Sequence, residues 1–261
     1  MKKIALFFLT LFLSANAISQ LSISKKTKVN IYILAGQSNM AGRGALEAID
    51  TMTNSHIWKF DKEDHWVPAK EPLHFDKPKV VGVGPGFAFA KEIWKADTTV
   101  MVYLVPCAVG GTKIDLWKPG ALDSTTKTHP YDDAINRIRK AMAFGEIKGI
   151  IWHQGESDCN PLMSVGYEEK LKALILRFRN DLQKPSLPFI LGEIAHFRSE
   201  ENKDKIIINR AIKTVAYSFP NCNYVQTNGL NHRGDTLHFD SPSAREIGKR
   251  YATALLSLNQ K

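Results

Sequence analysis

Residues 29–40 read Val-Asn-Ile-Tyr-Ile-Leu-Ala-Gly-Gln-Ser-Asn-Met, an apolar run that ends in a short polar turn. A strand that is apolar along its whole length is typical of a parallel sheet covered on both faces. Comparable apolar runs recur later in the chain, at residues 100–105, 149–153, 189–193 and 223–226. These runs predict a mainly parallel, five-stranded sheet whose first strand spans residues 29–34.

Segments with helical periodicity alternate with the predicted strands. The clearest begins at Val165 and carries Leu171, Leu174, Ile175 and Phe178, the i, i+3, i+4, i+7 pattern of one helix face. Further helices are predicted near residues 86–96, 131–144, 204–218 and 243–256. Strands that alternate with helices predict an α/β protein, a three-layer α/β/α sandwich with right-handed crossovers.

Polar motifs follow three of the predicted strands. Ser38 follows the first strand, Gly110 and Gly111 follow the second, and His153-Gln-Gly-Glu156 ends the third. Ligands of open α/β sheets bind beyond the carboxyl ends of the strands. We therefore expect these three motifs to meet in one site.

A late loop, Asp235-Thr-Leu-His238, supplies an acid and an imidazole three residues apart. A serine hydroxyl needs a base to take its proton before it attacks an ester. The imidazole in turn needs a carboxylate at its other ring nitrogen. We therefore predict Ser38 as nucleophile, His238 as base and Asp235 as its orienting acid.

Each of these residues also has a plainer interpretation. A serine after a strand is often only a helix N-cap, and Asp235 and His238 could belong to a polar loop that caps the following helix. Other histidines could serve as the base, but none has an aspartate at similar spacing; they are His153, His196 and His232.

An oxyanion needs hydrogen-bond donors, and two motifs could provide them. The Gly110-Gly111 pair allows a backbone N–H to approach closely, although such pairs are often simple turns. Gln154 could donate its side-chain amide to the same oxyanion, together with the N–H of Ser38. Glu156 is either a loop-orienting residue or an alternative acid for the base, and we favour the structural role.

The N-terminus resembles a secretory signal peptide. Lys2 and Lys3 precede an apolar run from Ile4 to Leu13, and Ser14-Ala-Asn-Ala17 offers a cleavage site of small residues. The apolar run is short for a bilayer span, which argues against a retained anchor. We predict a signal peptide over residues 1–17, or up to about residue 20, and a secreted or periplasmic protein with no membrane partner after cleavage.

Charge and cysteine content exclude other classes. The formal net charge of +9 is scattered along the chain, and no aromatic-basic module accompanies it, so we do not expect nucleic-acid binding. Three cysteines without C-x-x-C spacing argue against zinc. One disulfide is possible in an exported chain, but the pairing among Cys107, Cys159 and Cys222 stays open.

The motifs together resemble the SGNH hydrolase superfamily, and most closely carbohydrate esterase family 6 and the related sialate O-acetylesterases. They are Gln37-Ser-Asn-Met40, Gly110-Gly-Thr112, His153-Gln-Gly-Glu156 and Asp235-x-x-His238. The resemblance implies a flavodoxin-like fold in one domain over residues 28–258, no metal or other cofactor, and removal of acetyl groups from sugars.

By position, the resemblance implies that Ser38, His238 and Asp235 form the triad, with Gln154 and Gly110 or Gly111 in the oxyanion hole. Gln154 stands where many superfamily members have asparagine. The resemblance leaves open whether Asp235 or Glu156 is the acid of the triad.

The sequence thus predicts a secreted serine esterase that deacetylates a xylan-type or sialic-acid-type carbohydrate through an acetyl-serine. The alternatives are a short-chain lipase or thioesterase, and a catalytically idle carbohydrate-binding protein on the same fold. Trp117, shortly after Gly-Gly-Thr, is the tryptophan that we expect to contact the sugar. The sequence leaves open the sugar, the hydroxyl position and the oligomeric state.

Overall fold

The computed structural model describes residues 28–197 and 202–258. These residues form seven strands: β1 (Lys28–Gly36), β2 (Ile57–Phe60), β3 (Trp66–Pro68), β4 (Val100–Pro106), β5 (Glu146–His153), β6 (Phe189–Gly192) and β7 (Cys222–Val225). They lie in one sheet in the order β3-β2-β4-β1-β5-β6-β7. All neighbours are parallel except β3, which is antiparallel to β2.

The predicted α/β class is confirmed, but the predicted strand number is wrong. The five predicted strands are β1, β4, β5, β6 and β7, and the sheet gains β2 and β3 at one edge. These two strands have four and three residues, too few to show the periodicity that distinguishes a strand from a loop in sequence.

Helices of the described segments are α1 (Ser38–Ala41), α2 (Ala48–Thr51), α3 (Pro85–Ala96), α4 (Pro130–Ala141), α5 (Pro161–Ser164), α6 (Tyr167–Asp181), α7 (Lys203–Ser218) and α8 (Ser241–Leu258). Side chains of β1 alternate between the two faces of the sheet, as a pleated strand requires. Ile31 and Ile33 join a core with α4, α6 and α7, whereas Tyr32 and Leu34 join a core with α3 and α8. The result is the predicted three-layer sandwich.

The carboxyl end of β1 is where the chain opens a crevice. β4 pairs with one side of β1 and β5 with the other, so the chain connections on the two sides of β1 run in opposite directions. Ligands of such sheets usually bind at this point. Gly36 ends the strand at φ 129°, and a Cβ there would lie 2.1 Å from the carbonyl oxygen of His153. Only glycine permits this close approach, which turns the chain directly into Ser38.

Three further observations concern the cysteines, the helices and the termini. Cys107, Cys159 and Cys222 are free thiols, so the disulfide considered from sequence does not form. Within the described ranges, no helix combines the length and apolar character needed to cross a membrane. The signal peptide predicted at residues 1–17 lies outside the described residues, and the single domain predicted over residues 28–258 stays a prediction.

Candidate active site

Ser38, His238 and Asp235 meet at the carboxyl end of β1. Ser38 Oγ lies 3.0 Å from His238 Nε2, and His238 Nδ1 lies 2.7 Å from Asp235 Oδ2. The serine is 6% exposed, whereas the imidazole and carboxylate side chains are 19% and 38% exposed. A hydroxyl, an imidazole and a carboxylate in this order have the contacts that base-assisted nucleophilic attack requires.

The Asp235 carboxylate is held in place by the loop to which it belongs. Asp235 Oδ1 accepts hydrogen bonds from the backbone N–H groups of Leu237 at 3.0 Å and His238 at 2.8 Å, an Asx-type turn. Partial burial alone would raise the pKa of the Asp235 carboxyl, but these two N–H groups and the His238 ring outweigh it and lower the pKa to about 2. Asp235 is therefore ionised at any pH at which the imidazole can act as a base.

Two backbone donors face the region above Ser38. Ser38 is the first residue of α1, and its N–H has no acceptor among the described residues. The N–H of Gly111 likewise has none, and Gly111 adopts φ 87°. Both residues line the same pocket, so both N–H groups are available to an oxyanion.

Gly110 has a different role from the one that the sequence predicts. Its N–H donates to Asp76 Oδ2 at 2.8 Å, and the same oxygen accepts from Arg43 Nη2 at 2.7 Å. A Cβ on Gly110 would lie 2.2 Å from Arg43 Nη2, so this buried ion pair requires glycine. The N–H of Gly110 is already bonded to Asp76, so Gly111 is the glycine of the pair whose N–H remains available.

The predicted oxyanion role of Gln154 is also wrong. Its side chain is fully buried, and Nε2 lies within hydrogen-bond distance of three acceptors: Asp158 Oδ2 at 2.6 Å, Thr112 O at 3.0 Å and Gln37 Oε1 at 3.2 Å. Its Oε1 accepts from Tyr167 Oη at 2.9 Å. An amide nitrogen has two protons, and the protein interior already uses both.

Gln37, in contrast to Gln154, lines the pocket beside Ser38. Its Oε1 accepts from Gln154 Nε2 at 3.2 Å and from the N–H of Ser157 at 3.3 Å. Its Nε2 has no acceptor in the described part of the chain, and the residue lines the pocket beside Ser38. The one signal in the sequence that could have indicated it is a long amide side chain directly before Ser38.

Glu156 lies in the site but not beside the base. Its Oε1 accepts from Asn39 Nδ2 at 2.6 Å and lies 3.6 Å from His153 Nε2. Burial alone would raise the pKa of Glu156, but His153 and Asn39 together hold it below its ordinary value. The carboxylate next to His238 is that of Asp235.

Trp117 does not contact the site surface. Its side chain is fully buried, packs edge-on against Trp152 with ring centroids 5.0 Å apart, and donates to Thr112 Oγ1 at 3.1 Å. The expectation that it contacts the sugar is wrong, because the Gly-Gly turn directs this tryptophan into the core.

A pocket of about 430 Å³ lies over Ser38 and His238. Its outer wall includes Lys77, Arg233, and the half-exposed Val80 and Leu237. Within the described ranges, no group of three or more His, Cys, Asp or Glu side chains is arranged to hold a metal ion.

Sequence and structure comparisons identify related proteins. The carbohydrate esterase, sialic acid-specific acetylesterase family has a model that matches residues 28–257. The chain is 35% identical over 248 residues to the probable carbohydrate esterase At4g34215 of Arabidopsis thaliana, covering 87% of this chain and 90% of that protein.

Solved structures agree. The X-ray structure of the Arabidopsis protein aligns with a TM-score of 0.77 at 34% identity, covering 87% of this chain and 98% of that one. NanS aligns with a TM-score of 0.71 at 17% identity, covering 90% and 98% of the two chains. The carbohydrate acetylesterase XAC1771 of Xanthomonas citri aligns with a TM-score of 0.66 at 20% identity, covering 87% of this chain and 55% of that one. The last two likenesses concern the fold.

Proposed function

Because this chain belongs to the carbohydrate esterase, sialic acid-specific acetylesterase family, whose members are carboxylic ester hydrolases, we propose that it is a secreted serine esterase that removes O-acetyl groups from acetylated carbohydrate. The observation that carries the proposal is the 3.0 Å contact between Ser38 Oγ and His238 Nε2, with Asp235 on the far side of the ring. No metal or organic cofactor takes part in the proposed reaction.

In the first half of the reaction, Ser38 Oγ attacks the acetyl carbonyl carbon while His238 Nε2 takes its proton. The negative charge of Asp235 stabilises the imidazolium that forms. The carbonyl oxygen becomes an oxyanion held by the N–H groups of Ser38 and Gly111 and by Gln37 Nε2. The imidazolium then gives its proton to the departing sugar oxygen, and an acetyl-serine remains.

In the second half, His238 takes a proton from water as the water oxygen attacks the acetyl-serine. The same three donors hold the second oxyanion. Collapse of this intermediate breaks the bond to Ser38 Oγ, which regains its proton from His238, and acetate leaves. One water is consumed for each acetyl group, and the protein returns to its starting state.

The charge at the pocket mouth favours the sialic-acid type of substrate over the xylan type. Arg43 is neutralised by Asp76, and Arg233 lies 3.6 Å from Asp235. Lys77 makes no ion pair with any described residue, and its Nζ lies 3.6 Å from where a Cβ on Gly111 would be. Asp123 interacts with Lys77 only electrostatically, with no ion-pair contact, so the ammonium group at the mouth is free to attract a substrate that carries a carboxylate.

Ser38→Ala tests the serine mechanism. The variant should fold as the wild type does, yet release no acetate from nitrophenyl acetate, and only the wild type should gain the mass of one acetyl group on brief exposure to substrate. Retained turnover in the variant would eliminate the proposal. Equal rates on acetyl and octanoyl esters would favour a lipase or thioesterase instead, and sugar binding without hydrolysis would favour an idle binding protein.

Lys77→Met tests the substrate type with the catalytic residues untouched. We expect KM for O-acetylated sialic acid to rise by about two- to fivefold, as for loss of one exposed charge contact. KM for acetylated xylan and for nitrophenyl acetate should not change. A uniform change across all three substrates would contradict the role of the charge.

A further inference from the structure

Asn39, the residue after the nucleophile, contacts the backbone on both sides of the base. Its Nδ2 donates to the carbonyl oxygen of Leu237 at 3.1 Å, and its Oδ1 accepts from the N–H of Phe239 at 3.1 Å. The side chain is 3% exposed. One amide group therefore spans His238 from the residue before it to the residue after it.

The loop that carries His238 is held at two other points: Arg233 Nη1 donates to the carbonyl oxygen of Arg43 at 2.6 Å, and the buried Phe239 ring packs edge-on against His153. Among the described residues, the remaining hydrogen bonds of residues 237–239 stay within the loop, apart from the contact of His238 with Ser38. Asp235 and Arg233 in the same loop are substantially exposed, with side-chain exposures of 38% and 46%. The Asn39 side chain is thus the contact with the nucleophile turn that lies next to His238 on both sides.

Glu156 supports the same orientation of the Asn39 amide as the two backbone partners do. Its Oε1 accepts from Asn39 Nδ2 at 2.6 Å, and a carboxylate cannot donate, so the nitrogen and not the oxygen of Asn39 must face it. That orientation is the one that pairs Oδ1 with the N–H of Phe239 and Nδ2 with the carbonyl of Leu237. Glu156 is 8% exposed and lies 3.6 Å from His153 Nε2, whose Nδ1 is 2.8 Å from Tyr251 Oη, so the carboxylate is itself held in the core.

We propose that Asn39, oriented by Glu156, is a positioning residue that holds the His238 imidazole at Ser38 Oγ. The inference rests on the proposed esterase function, and it gives Glu156 a role at the nucleophile turn instead of in the triad. Asn39 touches no reacting atom in this role, and it acts through the backbone of residues 237 and 239.

The test measures kcat, KM and thermal unfolding for four variants. Asn39→Ala should lower kcat by about 10–100-fold, the order of loss expected from a small misplacement of a reacting group, with KM nearly unchanged. Glu156→Ala should lose part of this, whereas Glu156→Gln should keep most activity because an amide oxygen still accepts from Asn39. The double variant Asn39→Ala/Glu156→Ala should lose no more than Asn39→Ala alone, because Glu156 acts only through Asn39.

Asn209→Ala is the matched control. Asn209 makes the same kind of two-sided contact with the backbone of Ile194, at 2.9 Å from each end of its amide, and contacts none of the site residues. It should lower the melting temperature comparably and leave kcat unchanged. The low-field proton resonance of His238 Nδ1–H should weaken in Asn39→Ala and persist in Asn209→Ala.

Several results would overturn the inference. These are wild-type kcat in Asn39→Ala, losses that multiply in the double variant, and a kcat in Asn209→Ala that falls as far as in Asn39→Ala. If Asn39→Ala fails to fold, the contrast between Glu156→Gln and Glu156→Ala decides, and equal activity of these two refutes the role of Glu156. Failure of the serine mechanism itself would appear separately, as activity retained in Ser38→Ala.

Discussion

Gln37→Ala removes one donor from the proposed oxyanion site and leaves Ser38 and His238 in place. Because Gln37 Oε1 is held by Gln154 Nε2 at 3.2 Å and by the N–H of Ser157 at 3.3 Å, the amide nitrogen is positioned before substrate arrives. A preorganised donor of this kind is worth about 2.7–4 kcal/mol in the transition state, so kcat should fall by about 10²–10³-fold. KM should change little, because the oxyanion exists only in the transition state.

The same substitution should leave the protein folded. Gln154 Nε2 keeps Thr112 O and Asp158 Oδ2, at 3.0 and 2.6 Å, so it loses only the longest of its three contacts, and the N–H of Ser157 loses its bond of 3.3 Å. The net cost of each of these two hydrogen bonds is about 0.5–1.5 kcal/mol. Loss of activity should therefore occur in a folded protein, which a urea titration of the variant checks.

Steady-state hydrolysis of nitrophenyl acetate is the assay, and Gln37→Glu is the control. Glutamate keeps the volume and the oxygen that accepts from Gln154 and Ser157, but it lacks the donor. It should therefore lose at least as much kcat as the alanine variant. A kcat within about tenfold of the wild type in either variant would refute the oxyanion role of Gln37.

Three further predictions concern the acid, a buried carboxyl and the tryptophan. Asp235→Asn should lower kcat by about 10⁴-fold. Hydrogen bonds overcome partial burial and hold the pKa of Asp235 at about 2. The acid limb of the wild-type pH–kcat/KM profile should therefore follow a single ionisation, and a limb that requires two protons would contradict this pKa. Burial raises the pKa of Glu71 from 4.5 to about 8, against opposing hydrogen bonds from the N–H groups of Leu73 and Gly84. The folded state therefore binds this proton more tightly than the unfolded state. As the pH rises from 4.5 to about 8, the free energy of unfolding should fall by up to about 5 kcal/mol. Urea titrations across that range should show a flatter pH dependence in Glu71→Gln than in the wild type, and an unchanged slope would contradict this. Trp117→Ala should cost about 3–5 kcal/mol of stability in a urea titration, as a buried ring does, and a raised KM without destabilisation would instead point to substrate contact.

The elements that the sequence predicted correctly are those governed by local patterns. An apolar run long enough to span the sheet reveals β1, and a separation of three residues lets Asp235 reach His238 through a turn that its own carboxylate stabilises. Ser38 could be placed because the end of a central strand is a known ligand position. These inferences need no knowledge of how distant side chains orient.

The errors arise where side-chain direction decides the role. Gln154 and Gln37 are both amides at strand ends, and only the contacts with Asp158 and Thr112 turn the first inward and leave the second facing the pocket. The sequence left open whether Gly110 or Gly111 is the donor, because the contact that occupies the N–H of Gly110 comes from Asp76, 34 residues away in the chain. Tertiary contacts between distant segments leave no periodicity or spacing in the sequence.

The nucleophile is buried and the base and acid are more exposed, so the protein should lose activity before it unfolds. The nucleophile directly follows the central strand β1, whereas the base and the acid belong to an outer loop. Local openings in proteins require less free energy at such loops than in central strands. Mild heat or denaturant should therefore lower turnover under conditions in which the sheet persists, and a return to the original conditions should restore it. The stability of the outer loop, as well as that of the sheet, then sets the range of conditions in which the protein is active.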